Sequence, residues 1–200
     1  MIYVCGDSFG VSDADYGPMW VDLLKQRLGC PVTNLSQVCA SNAMIAQQVD
    51  CTVNADFVIV LFTASTRSWT RQNGRIIPFS WHSLDRTTPF DSDQLAILKN
   101  YAVEFFDLDL AIYENQCIIE SVLQRLVDRD QSFCFDQGGF EHASYGSRVK
   151  YFDKYHAWRS KINCWDWAQH RSHRPYYHIT DPAVHAEIAD YYFERIRGHS

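Results

Sequence analysis

Residues 57–62 read Phe-Val-Ile-Val-Leu-Phe. A strand with one wet face alternates apolar and polar residues, and this run does not. Six apolar residues in a row suit a strand covered on both faces, as in a parallel sheet between two layers of helices. The flanking text agrees. Ile2 to Cys5 is a short apolar run stopped by Gly6, and Pro31 to Leu35 reads as a second strand. Between them, residues 17–28 place Trp20, Val21, Leu23, Leu24 and Leu28 on one helical face, with Gly29 as the stop. Residues 42–51 offer Ala43, Ile45, Ala46 and Val49 as a second apolar face. This β-α-β-α-β order predicts an α/β fold of three layers, α/β/α, with a mainly parallel sheet.

The rest of the chain is read the same way. Residues 68–92 carry Gly74, Pro78, Pro89 and many polar side chains, so they read as an excursion from the core. A helical region follows over 92–129, broken near Asp107–Asp109, then a fourth strand at Ser132 to Phe135. The last helix is predicted from Asp181 as cap and Pro182 at its first position, with Ile188, Tyr191, Tyr192 and Ile196 on its apolar face. The expectation is one domain over 1–200, with excursions at about 68–92 and 137–177.

Composition narrows the function classes. At 46% hydrophobic and 21% charged, the chain can build a core and is not disordered. No apolar run approaches the roughly 20 residues that span a bilayer, so no membrane partner is expected. The start, Met-Ile-Tyr-Val-Cys-Gly-Asp-Ser, lacks the basic and long apolar regions of a signal peptide. The cysteines are odd in number, seven, and no pair has C-x-x-C spacing. Reduced thiols in a cytoplasmic setting are expected, not a disulfide framework or a structural zinc site. A net charge of -6 argues against nucleic-acid binding by the whole surface. The charge is uneven, however. Residues 148–178 hold seven Lys/Arg against two Asp, with eight Trp, Tyr and Phe and four His. That segment reads either as an excursion packed by its own aromatics or as a contact for a sugar, a phosphate or single-stranded nucleic acid.

The chemistry-bearing residues lie where strands end. Gly6-Asp7-Ser8 follows the first strand directly, and ligand sites of open α/β sheets lie at the carboxyl ends of strands. A serine there becomes a nucleophile if a base takes its proton, and otherwise is an ordinary turn residue. Two more segments fall at such ends: Asn34-Leu35-Ser36-Gln37-Val38-Cys39-Ala40-Ser41-Asn42 after the second strand, and Thr63-Ala64-Ser65-Thr66-Arg67 after the third.

In this order and position, the three segments resemble the sequence blocks of the SGNH/GDSL hydrolase superfamily. Gly6, Asp7 and Ser8 match its first block. Asn34, Leu35, Ser41 and Asn42 match its second, in which Cys39 stands where the family has glycine. Ser65 stands where the third block has asparagine. Some phage-encoded relatives have a similar T-x-S-x-x-R third block, so a viral origin fits the pattern. The resemblance implies a flavodoxin-like sheet and a serine esterase or acetylesterase with no cofactor. Its substrate would be a small-molecule or carbohydrate ester. It implies Ser8 as nucleophile and an oxyanion hole from the backbone N–H groups of Ser8 and Cys39 with the Ser65 hydroxyl. Asn42 or Thr63 are possible substitutes for the missing asparagine.

The family's last block carries an aspartate three residues before its catalytic histidine, ahead of a helix with a second, structural histidine. If Asp181 caps the last helix, His185 takes the in-helix place and His178 the catalytic one. Pro175 then stands where the aspartate belongs, so Asp181 or Asp166 would have to orient the base, or a Ser-His dyad would act without one. His185 paired with Asp181 is the second assignment. Because Cys39, Ser65 and Pro175 depart from the family pattern, a binding or structural protein that keeps the fold without the chemistry is the rival reading.

Two other groupings carry ligand-type side chains. His170, His173 and His178 have spacing that suits a metal, but no clear carboxylate or cysteine partner. Asp136 and the Glu141-His142 pair follow the fourth strand. Neither a dinucleotide fingerprint nor a P-loop is present.

Overall fold

The computed structural model describes residues 1–11, 18–81, 84, 90–136, 154–162, 164, 167 and 179–198. Its centre is a parallel sheet of β1 (Ile2–Cys5), β2 (Val32–Asn34), β3 (Phe57–Leu61) and β6 (Phe133–Asp136), in the order β2-β1-β3-β6. Val4 sits beside Asn34 on one side and Ile59 on the other, and Leu61 beside Asp136.

β3 is buried at every position. Its side chains alternate between two cores, as the pleat requires. Phe57, Ile59 and Leu61 join Ile2, Val4 and Cys134 against α1 (Trp20–Leu28) and α5 (Pro182–Arg197). Val58, Val60 and Phe62 join Cys5, Phe133 and Phe135 against α2 (Asn42–Asp50) and α4 (Leu108–Asp128). The three-layer α/β/α arrangement is therefore the one expected from the sequence.

Local chemistry sets the helix boundaries. Ser41 caps α2 by accepting from the Met44 N–H. Asp91 and Gln94 form a reciprocal cap on α3 (Ser92–Phe105), and Asp107 starts α4 by accepting from the Leu110 N–H. The break expected near Asp107 falls there because that cap begins a new helix. Asp181 accepts from the Ala183 N–H and Pro182 opens α5.

The first excursion differs from its expectation. It begins with an antiparallel hairpin, β4 (Arg67–Gln72) and β5 (Arg75–Ser80), that forms its own two-stranded sheet. Asn73 and Gly74 both have positive φ, 50° and 78°, as the two central residues of a tight hairpin turn require. Pro78 is tolerated because a two-stranded sheet consists only of edges.

Of the second excursion, residues 154–162 run along the outer side of β6. Arg159 bridges to Phe135 in parallel, the Ser160 N–H donates to the Phe135 carbonyl at 2.7 Å, and Trp158 stacks on Phe133 at 5.4 Å. This stretch covers an edge strand that would otherwise offer unpaired backbone groups. Among the described residues, no helix is long and apolar enough to cross a membrane.

Candidate active site

In this sheet order the chain leaves β1 for β2 on one side and returns for β3 on the other. The crevice at the carboxyl ends of β1 and β3 is the switch point, where open α/β sheets bind ligands. Ser8 follows β1 and Ser65 follows β3, so both flank that crevice.

The turn carrying Ser8 is held on every side. The Gly6 N–H donates to Gln48 Oε1 at 2.7 Å, and Gln48 Nε2 donates back to the Gly6 carbonyl at 3.2 Å. Trp20 Nε1 donates to the Phe9 carbonyl at 2.7 Å, and Asn34 Nδ2 to the Gly10 carbonyl at 2.6 Å. Two glycines permit this closeness. A Cβ on Gly6 would lie 2.8 Å from the Leu61 Cβ, and one on Gly10 would lie 2.1 Å from the Ser36 Oγ.

Asp7 is fully buried and joins two strand ends. Its Oδ1 accepts from the Phe9 N–H at 3.0 Å and its Oδ2 from the Thr63 hydroxyl at 2.7 Å. Burial pushes the Asp7 carboxyl up to about 6, against the opposing pull of the Phe9 N–H, the Thr63 hydroxyl and the nearby Arg67 guanidinium. In the unfolded chain it titrates near the ordinary 3.8. Between these values the unfolded state binds fewer protons than the folded one. Raising the pH through that window therefore weakens folding, and the loss is complete above about 6. Its size is about 3 kcal/mol. Asp7→Asn is expected to remove this segment of the stability profile, read from urea midpoints of both chains between pH 4 and 7. Parallel profiles for the two chains would contradict the assignment.

Ser8 is 7% exposed, and its Oγ is buried without a hydrogen-bond partner among the described residues. A hydroxyl in that state within a well-packed turn calls for an explanation. Two backbone N–H groups that the family pattern assigns to the oxyanion hole also lack acceptors among the described residues. Neither the Ser8 N–H nor the Cys39 N–H donates to another described residue. Cys39 lies in the left-handed region at φ 61°, in a turn closed by the Ala40 N–H on the Gln37 carbonyl. This is the position where the resembled family pattern has glycine, and here a cysteine adopts a glycine-like conformation. That strain costs about 1–2 kcal/mol. Cys39→Gly would relieve it while loosening the unfolded chain by about 0.4–1 kcal/mol. The expected result is a net gain of up to about 1 kcal/mol by urea denaturation. A loss of more than that would contradict the strain.

Two sequence-based candidates are engaged within the fold. Asn42 is bonded through both its amide nitrogen and its amide oxygen. Its Nδ2 hydrogens go to the Thr63 carbonyl and Asn115 Oδ1, both at 2.8 Å, and its Oδ1 accepts from the Thr63 N–H at 2.8 Å. The Thr63 hydroxyl is committed to Asp7. His185, the second choice for the base, is also engaged. Nδ1 accepts from the Trp20 N–H at 3.3 Å, and Nε2, its protonated nitrogen, bonds to the Ile179 carbonyl at 3.0 Å. It is 2% exposed, desolvation pushes its pKa down, and it braces α1 against α5. Asp181 is the cap of α5.

The preferred base, His178, lies outside the described residues, as do Asp166, Pro175, His170, His173 and the Glu141-His142 pair. Ser65 is buried, and its carbonyl accepts from Asn115 Nδ2 at 3.3 Å. Asp136, at the end of β6, is buried and accepts from the Cys164 N–H at 3.2 Å, which ties the second excursion to the sheet.

Asn115 and Gln48 were missed from sequence. Asn115 interrupts the apolar face of α4 between Ile112 and Ile119, and Gln48 sits beside Val49 on the buried face of α2. A polar residue within a buried stripe was the available signal.

The seven cysteines are free, with Cys5, Cys134 and Cys164 buried and Cys51 and Cys117 exposed. Burial pushes the Cys5 thiol up to about 12 and raises those of Cys134 and Cys164 as well. Among the described residues, no three His, Cys, Asp or Glu side chains are grouped to hold a metal ion.

No protein-family model matches the chain, and no curated protein matches it. Solved structures do. The fold is shared with an esterase of known structure. The chain is similar to the psychrotrophic esterase EstA from Pseudoalteromonas sp., seen in a crystal structure inhibited by monoethylphosphonate. The TM-score is 0.55 at 12% identity, covering 98% of this chain and 96% of that one. A likeness at that identity establishes a shared architecture, a three-layer α/β/α fold.

Proposed function

We propose that this chain is an SGNH-type hydrolase of small or carbohydrate esters, with Ser8 as nucleophile. The observation that carries the reading is the buried Ser8 Oγ at the switch point, which has no hydrogen-bond partner among the described residues. Ser8 Oγ attacks the ester carbonyl, and its proton passes to the base. The N–H groups of Ser8 and Cys39, with the Ser65 hydroxyl, hold the negative oxygen of the tetrahedral intermediate. The alcohol leaves with the proton, and water then releases the acyl group from Ser8.

His178 is assigned as base because the backbone already engages both nitrogens of His185. The Cys39 departure is compatible with this mechanism, since a backbone N–H is indifferent to the side chain when φ stays positive. The esterase neighbour supports the same reaction class.

The test is turnover of p-nitrophenyl acetate and butyrate by the wild-type chain and by Ser8→Ala. Turnover by the wild type alone is the expected result. Equal turnover by both chains would remove the serine mechanism.

A further inference from the structure

Helix α3 carries no buried residue, although it is rich in apolar side chains. It is joined to the β4–β5 hairpin by Gln72 Nε2, which donates to Gln94 Oε1 at 3.0 Å, and by Tyr101, stacked on Trp81 at 5.7 Å. Other apolar side chains face outward. Ile97, Val103 and Phe105 are 68%, 82% and 72% exposed, and Leu108 and Leu110 are exposed where α4 begins. At 3.6 residues per turn, Val103 stands about 120° from Ile97 and about 160° from Phe105, so no single face of the same chain can cover all three. A helix that is apolar on most sides belongs in an interior.

Charge divides the same region in two. Residues 91–114 hold six Asp and Glu against one Lys, whereas residues 67–80 hold three Arg and no acid. Arg67, at the inner end of the hairpin, acts on Asp7. Farther out, the register sets exposed Arg71 beside exposed Ile76. Exposed Trp69, two residues before Arg71, lies on the same face of the hairpin. Glu104 is exposed on α3.

We propose that the chain forms a two-fold dimer, in which the outer hairpin face of each copy lies over α3 of the other and Arg71 of one copy meets Glu104 of its partner. The dimer does not depend on the hydrolase reading. A two-fold interface joins the same surface on both copies, so that surface must be self-complementary. This one is. Its hairpin half is apolar and cationic, its α3 half is apolar and acidic, and the Gln72–Gln94 bond holds the halves side by side. Ile97, Val103, Phe105, Leu108 and Leu110 with Trp69 and Ile76 expose roughly 800 Å², which is what each partner brings to a standard stable interface. Monomers rarely leave an apolar patch of that size open. A foreign basic partner would match the acidic half and leave Trp69 and Ile76 uncovered. A second copy covers both halves at once, and association stops at two because neither half is left over.

Sedimentation velocity of the full chain across the micromolar range is the test. The expected result is a species of twice the chain's mass that dissociates on dilution. Arg71→Glu and Glu104→Arg each set like charges against one another at two places in a dimer of identical copies. Each is expected to weaken association by at least about 10-fold. Mixing the two variants one to one should restore the dimer. In the mixed pair one contact has both charges reversed and the other is as in the wild type. Phe105→Glu removes an apolar anchor and is expected to weaken the dimer by about 30-fold or more, with no rescue by mixing. All three positions are exposed, and circular dichroism melts of each variant exclude unfolding as the cause. A wild-type chain that stays monomeric, a dimer indifferent to all three substitutions, or a mixture that associates no better than its components would each overturn the proposal.

Discussion

Ser8→Ala is expected to lower ester turnover by at least about 10³-fold, with the fold intact. The size follows from what the hydroxyl does. Without it no acyl-enzyme forms, and only the oxyanion donors and substrate binding remain to assist attack by water. The fold should survive, because Ser8 Oγ makes no hydrogen bond that the alanine would break. Stability and activity are thus separable at this position. Two histidine variants sharpen the result. His178→Ala is expected to lower turnover by about 10²–10⁴-fold, the range for loss of a general base. His185→Ala is expected to act mainly on stability, because it leaves the Trp20 N–H and the Ile179 carbonyl unpaired. Turnover lost in a folded His185→Ala chain and retained in His178→Ala would exchange the two assignments.

Asn115→Ala is expected to destabilise the chain by about 2–4 kcal/mol, although the residue is absent from any catalytic pattern in the sequence. Its Nδ2 donates to the Ser65 carbonyl at 3.3 Å and to the Ala111 carbonyl at 2.8 Å, while its Oδ1 accepts from Asn42 at 2.8 Å. Removing it orphans a donor on Asn42 and an acceptor on Ser65, both buried. Unpaired buried groups cost more than the lost bonds contribute. The same change frees the Ser65 loop at the carboxyl end of β3, so turnover should fall as well. Urea denaturation reads the first effect through the midpoint at unchanged slope, and p-nitrophenyl acetate turnover reads the second. A midpoint equal to that of the wild type would contradict the bracing role.

The sheet was legible in the sequence because β1, β3 and β6 are short apolar runs, and β2 falls between two helical faces. Phe57–Leu61 needed no tertiary information to be placed centrally. The α5 start was legible for a similar reason, since Asp181 and Pro182 act within one turn. The hairpin was legible in principle. Asn73-Gly74 between two alternating segments is a strong turn signal, but Pro78 and the polar composition argued for an irregular excursion. What stayed hidden depends on distant pairing. Nothing local says that Asn42 faces Asn115, seventy-three residues away, or that Gln48 closes on Gly6. The roles of the two asparagines and of His185 come from which partners the fold brings to them. Cys39 lies between these cases. The family pattern marks a glycine position, and the positive φ gives the physical reason for it.

The central claim is that Ser8 is a nucleophile poised at the switch point. Its most direct test is covalent labelling with an activated ethylphosphonate ester, followed by intact mass and peptide mapping. The account predicts a single ethylphosphonyl adduct on the peptide containing Ser8, absent from the Ser8→Ala chain. An unlabelled wild-type chain, or the same adduct formed in Ser8→Ala, would contradict it.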